Sequence, residues 1–278
     1  AIADRPVVAP GFVAGALATG LDGNPLGTGT GFLGAIIGGF IAGFAALWIS
    51  RWPVANWIKP VMPVVVIPLL ATIITGFVMV LVLKGPISGL ANGLTEWLGS
   101  LSGAGIVILG IVIGLMMAFD MGGPVNKVAY TFGVTGLAAA GAVAEAPEFV
   151  VMAIVMAAGM TPPLGLALAT VLRKSAFSES ERENGKAGWL LGASFISEGA
   201  IPFAAADPIR VIPSIMIGSG VTGALVGVFG NQLRAPHGGI FVFPLVSDVL
   251  TYILAIAIGT VVTAVLVLVA KSIGNKAE

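Results

Sequence analysis

The sequence predicts an all-α polytopic membrane protein of about seven to eight transmembrane helices, with re-entrant hairpins and an interfacial amphipathic helix beside them. Three observations predict it. Hydrophobic residues make up 57% of the chain against 9% charged, and the mean hydropathy of +1.06 lies far outside the soluble range. Several uncharged stretches approach or exceed the roughly 20 apolar residues that cross a hydrocarbon core of about 30 Å. The acids that do stand inside apolar sequence are accompanied by Gly and Pro, as in "ISEGAIPFAAADP" at 196–208, which a plain spanning helix avoids.

Each element follows from its composition. Residues 1–30 are weakly apolar and rich in Gly and Pro, and read as one partial span. Residues 31–50 and 61–83 carry no charge and read as full spans. The stretch 85–100, "GPISGLANGLTEWLGS", reads as an amphipathic segment in the interface with Trp97 as its anchor. Two shorter spans, 103–119 and 128–144, flank the polar insert "DMGGPVNK". Residues 149–172 span, and Pro162 and Pro163 are expected to break the middle of that helix. A hydrophilic loop is expected over 173–186, then an interrupted apolar stretch to 209, a span at 211–230, the polar insert "NQLRAPHGG", and a last span at 249–270.

Charge gives orientation and excludes partners. Thirteen basic and thirteen acidic residues cancel, so nothing points to nucleic acid or to an acidic substrate. Threading the spans alternately puts Arg51, Lys59, Lys127, Arg173, Lys174, Arg182, Lys186, Lys271 and Lys276 on one side. The other side receives Lys84 and Arg234 together with Glu96, Glu145 and Glu148. The positive-inside rule makes the first side cytoplasmic, C-terminus included. The alternation closes only if 187–209 dips into the membrane and returns, which predicts a re-entrant hairpin there. The start of the chain lacks a signal-peptide pattern. Cysteine is absent, which removes disulfides, thiolate metal sites and phosphocysteine chemistry from this chain. No metal or other cofactor is expected.

Small residues recur every four positions at Gly31, Ala35, Gly39 and Gly43, at Gly34 and Gly38, and at Gly110 and Gly114. Such spacing lets helices approach closely in lipid, either within one protomer or along a dimer seam. The "GTGTG" at 27–31 precedes a span instead of closing a strand-to-helix turn, so it is not read as a phosphate loop.

Candidate chemistry lies in three polar inserts, 120–127, 197–208 and 234–239. A charge at the bilayer centre costs roughly 2.5–3.5 kcal/mol on insertion scales, so it faces protein or a wet cavity. Irregular backbone at that depth is confined to the same places. The inserts hold Asp120, Asn126, Lys127, Glu198, Asp207, Arg234 and the only histidine, His237, with Phe195, Phe203 and Phe241 alongside. Acids, an amide, an imidazole and aromatic faces suit a polyol, which needs many hydrogen bonds and a stacking surface. Plainer roles stand beside that one. Asp120 can cap a helix, Lys127 can anchor at the interface, Asp207 before Pro208 can form a turn and pair with Arg210, and Arg234 can snorkel. Glu198 is the hardest to explain away, because the ten residues before it are apolar except for two serines. An ion-coupled transporter with Glu198 and Asp207 as ion sites on a broken helix is the alternative reading.

The blocks "DMGGPVNKVAY", "EGAIPFAAADPIRVIPS" and "RAPHGGIFVFP" resemble those of the fructose-type membrane component, enzyme IIC, of the bacterial phosphoenolpyruvate-dependent sugar phosphotransferase system. The likeness runs from "IADRP" at 2–6 to about residue 270. It implies one enzyme IIC membrane domain over 1–278, a homodimeric permease of the inner membrane, whose usual preceding helices and IIA and IIB domains lie outside this sequence. It implies fructose or a similar hexose as substrate, bound within the membrane and phosphorylated by a cytoplasmic IIB domain that IIA recharges. No residue of this chain would be phosphorylated. The resemblance makes Glu198 the hairpin glutamate that holds the sugar and His237 a second ligand, either of them able to orient the reacting hydroxyl as a base. Asn126, Asp120, Asp207 and Lys127 complete the expected binding set.

Overall fold

A computed structural model describes residues 7–18, 31–86, 89, 93, 96, 100, 103–140 and 146–274. Most of the expected amphipathic segment at 85–100, most of the partial span at 1–30 and the GTGTG stretch before Gly31 lie outside the described residues. Among the described residues helix dominates, and the only extended pairing is an isolated antiparallel bridge between Leu233 and Val246. Among the described residues four helices are long and apolar enough to cross a membrane, and three shorter apolar helices accompany them. This is an all-α polytopic membrane architecture.

The chain divides into two compact units, residues 1–96 and 97–278. The first holds α1 (Val8–Ala18), α2 (Gly31–Ser50) and α3 (Met62–Pro86). Gly38 brings α2 against Ala14 of α1 and Met79 of α3, where a Cβ would meet both side chains. At Gly38 the small-residue spacing serves packing inside the unit, whereas Gly39 faces open space. Trp48 and Trp52 meet edge to face at 5.0 Å where α2 ends, and Trp57 is exposed nearby in sequence, as aromatic anchors of an interface are.

The second unit contains α4 (Ala104–Phe119), α5 (Pro124–Ala140), α6 (Pro147–Leu172), α7 (Glu179–Ala193), α8 (Ile201–Ala206), α9 (Pro208–Phe229) and α10 (Val249–Gly274). Its central post is α6, whose apolar window is 94% buried, against 22% for α3. Gly110 and Gly114 of α4 lie directly on the backbone of α9 at Gly223 and Ser219, too close for any Cβ. Here too the spacing expected from sequence is close packing within the chain.

Two sequence expectations are corrected. Pro162 and Pro163 do not break α6, which runs without interruption through both. A proline at position i removes the donor for the carbonyl at i−4, so these two free the carbonyls of Ala158 and Gly159. Hydroxyls replace the lost donors: Ser219 donates to Ala158 at 3.0 Å and Ser197 to Gly159 at 2.9 Å. The hydrophilic stretch 173–186 is not a loop throughout, because α7 starts at Glu179 under a capping box in which Ser178 and Glu181 exchange bonds. Polarity recorded the exposure of this turn and not its conformation.

The stretch expected to reverse does so. Helix α7 runs back along α6, with Gly185, Gly188 and Gly192 packed on Thr170, Pro163 and Leu164. At Ser194–Phe195 the helix closes: the Ile196 N–H returns to Leu191 O at 2.8 Å and the Phe195 N–H to Gly192 O at 3.1 Å. Phe195 itself holds φ +64°, the left-handed position that glycine normally fills. A short 3-10 turn at Ser197–Ala200 and α8 then lead back to Phe203, which packs edge to face on Phe177 at 6.2 Å. The turn sits at the midpoint of α6 and the two arms meet again near its end.

Candidate functional site

A cavity of about 370 Å³ opens at the turn of this hairpin. Three segments converge on it: the start of α5 with Asn126, Lys127 and Tyr130, the hairpin turn with Phe195 to Glu198, and His237 from the irregular segment before α10. Met117 of α4 completes the wall. All of these residues belong to the second unit.

Local geometry aims each side chain. Pro124 opens α5, and Asp120 caps it, its two carboxylate oxygens accepting from the Val125 N–H at 2.7 Å and the Asn126 N–H at 2.9 Å. That cap turns Asn126, Lys127 and Tyr130 onto one helix face. Asn126 is buried and donates one amide N–H to Met117 O at 2.6 Å. Gly122 lies against the Glu198 carboxylate at φ +105°, so any side chain there would both strain the backbone and occupy the carboxylate's place.

Lys127 Nζ stands 3.8 Å from Glu198 Oε1, and both side chains are about half exposed. That distance is too long for a hydrogen bond, so each charge keeps capacity for a third group. Aromatic faces form the other wall. The Phe195 ring lies 5.0 Å from the His237 ring and 6.2 Å from Tyr130, and Tyr130 meets His237 edge to face at 6.5 Å. His237 is delivered by Pro236, Gly238 and Gly239, with Gly239 pressed on Ala193 O at φ +57° and its N–H directed at Met156 Sδ at 3.3 Å. The chemistry on offer is a carboxylate, an amine, an imidazole, an amide and two aromatic faces around one void.

Of the residues expected from sequence, Glu198, His237, Asn126 and Lys127 share this cavity. Asp120 does not line it, both its oxygens being engaged at the α5 cap. Asp207 lies at the base of the hairpin, bonded to Arg210 at 3.0 Å and 3.9 Å from Lys271. Lys271 also pairs with Glu181 at 3.2 Å and stands 4.7 Å over the Phe177 ring. Arg234 stacks over Phe149 at 4.9 Å. Tyr130, Ser197 and Met117 are lining residues that the sequence reading did not single out. Tyr130 was within reach, since it stands four residues after Asn126 on a helix.

The chain matches the family described as "Phosphotransferase system, EIIC" over residues 4–218. It is 47% identical to a PTS system fructose-specific EIIC component of Haloferax volcanii, over 96% of this chain and 72% of that protein. It is 52% identical to a fructose-specific EIIB'BC component of Vibrio cholerae, over 72% of this chain and 34% of that one. A fructose-specific EIIABC component of Bacillus subtilis is 42% identical over 97% of this chain and 41% of its own length. The chain thus spans well under half of the two relatives that carry further components. No solved structure matches it.

Proposed function

This chain belongs to the phosphotransferase system EIIC family, and from that premise we propose that it is a sugar-translocating membrane subunit that binds fructose or a similar hexose at the hairpin turn. The observation that carries the reading is the convergence of Glu198, Lys127 and His237 from three separate segments on one cavity with an aromatic wall. A sugar ring stacks on Phe195 and Tyr130 while its hydroxyls donate to Glu198 and accept from Lys127.

Phosphoryl transfer is mainly positioning and charge stabilisation, so this chain's share is to present one hydroxyl to a phosphodonor. Glu198 or His237 orients that hydroxyl and takes its proton. The donor is a cytoplasmic IIB domain, recharged by IIA; residues 1–278 hold no cysteine to carry the phosphoryl group. The relatives whose names join EIIC to B or A components support that partnership. The whole of 1–278 acts as one EIIC domain, as a homodimer in the plasma membrane with the C-terminus cytoplasmic. Two things support that orientation: the Lys and Arg bias, and the meeting of Glu181, Asp207 and Lys271, which the same bias places on one side. The ion-coupled alternative is set aside by the family.

Vesicles holding the full chain and its phosphocarrier partners test the reading. Fructose uptake should require phosphoenolpyruvate and persist under a protonophore. Uptake that ignores the phosphodonor and collapses with the proton gradient contradicts it.

A further inference from the structure

We propose that the Gly159–Pro163 turn of α6 is a socket that positions the hairpin tip, making Ser197 and Pro163 positioning residues for Glu198 although Pro163 does not line the cavity. The inference rests on the reading that Glu198 holds the sugar. A buried carbonyl without its helical partner must find another donor. Pro163 leaves the Gly159 carbonyl in that state at the midpoint of α6, and the Ser197 hydroxyl fills the vacancy at 2.9 Å. The missing Cβ of Gly159 admits the Phe195 ring, which would collide with any side chain there. Gly199 fits between Leu191 of α7 and the Pro163 ring, a Cβ there lying 3.0 Å from Leu191 Cβ and 3.2 Å from Pro163 Cβ.

Three alternate residues of the tip, 195, 197 and 199, therefore face this single turn. Glu198 lies between them and is left to the cavity and Lys127. The left-handed backbone of Phe195 is a costly state for a bulky residue and persists only where surroundings hold it. The socket supplies that hold. Pro162 acts in parallel, freeing Ala158 O for Ser219 and so tying α9 to the same level of α6. A proline pair that reads as a helix break is a two-point docking site.

The test uses the purified full chain with fructose as probe and two readouts, Kd and melting temperature. Ser197→Ala should raise Kd about ten-fold and lower the melting temperature, since it unseats the tip and orphans the Gly159 carbonyl. Pro163→Ala combined with Ser197→Ala restores a helical N–H to that carbonyl. The double variant should regain melting temperature while its Kd stays raised. A third readout needs no sugar: spin labels on Lys127→Cys and Glu198→Cys, in this cysteine-free chain, should give a narrow distance distribution that broadens when Ser197→Ala is added. A distribution that stays narrow overturns the socket, as does a double variant that recovers binding together with melting temperature. Glu198→Gln with wild-type Kd would defeat the sugar-site reading alone, and the distance measurement would still decide the socket.

Discussion

Glu198 and Asp207 stand nine residues apart on the same hairpin, and their surroundings could hardly differ more. At the tip, Glu198 has one distant counter-ion, Lys127 at 3.8 Å, and an open cavity. At the base, Asp207 is mostly buried between Arg210 and Lys271, and Lys271 also bonds Glu181. Asp207, Arg210, Lys271 and Glu181 at the base pair with one another, whereas the Glu198–Lys127 pair at the tip is too long for a hydrogen bond. The charges at the base are paired across the hairpin's arms and α10, and the carboxylate at the tip faces a cavity. Breaking a buried pair by removing one partner is strongly destabilising, because it leaves an uncompensated charge. Removing a half-exposed charge beside a cavity costs the fold little and a ligand much.

That contrast can be broken by variants. The largest effect is expected from Lys271→Ala, which leaves Glu181 and Asp207 without their shared cation. Stability should fall by roughly 3 kcal/mol, read as a lowered melting temperature, while the folded fraction keeps near-normal fructose affinity. Next comes His237→Ala at the tip. Affinity for fructose should drop about ten-fold, equivalent to roughly 1.4 kcal/mol, with phosphorylation-coupled uptake falling more than the yield of folded protein. Wild-type affinity with a large melting loss would make His237 a structural residue instead. The smallest effect is expected from Tyr130→Phe, which keeps the ring and removes the hydroxyl. A two- to three-fold rise in Kd fits a wall that contributes mainly by stacking.

The same contrast explains what the sequence could and could not reveal. The long spans were legible because twenty uncharged residues have few alternatives, and 61–83 and 249–270 match α3 and α10 to within a few residues. The reversal at 187–209 was legible from charge alternation together with Gly199 and Pro202. Glu198 stood out for its apolar surroundings, and so did Asp207. Sequence offered the Asp207–Arg210 pair, which the structure holds at 3.0 Å, but not the second cation, Lys271, which lies 64 positions away from Asp207. Pro162 and Pro163 misled for a similar reason, since the hydroxyls that keep α6 whole come from Ser197 and Ser219 on other elements. In 173–186 local polarity outweighed a capping box that was itself readable as Ser178 followed three residues on by Glu181. Tyr130 went unnoticed because it reads as one more span residue.

One paired measurement tests the division between tip and base most directly: fructose Kd and melting temperature determined on the same preparations of Glu198→Gln and Asp207→Asn. Glu198→Gln keeps the shape and loses the charge that the proposed sugar site needs, so Kd should rise about ten-fold or more while melting stays within a degree or two of wild type. Asp207→Asn should do the reverse, melting earlier with Kd unchanged. Glu198→Gln protein that binds fructose like wild type, or Asp207→Asn protein that loses binding without losing stability, would contradict the account.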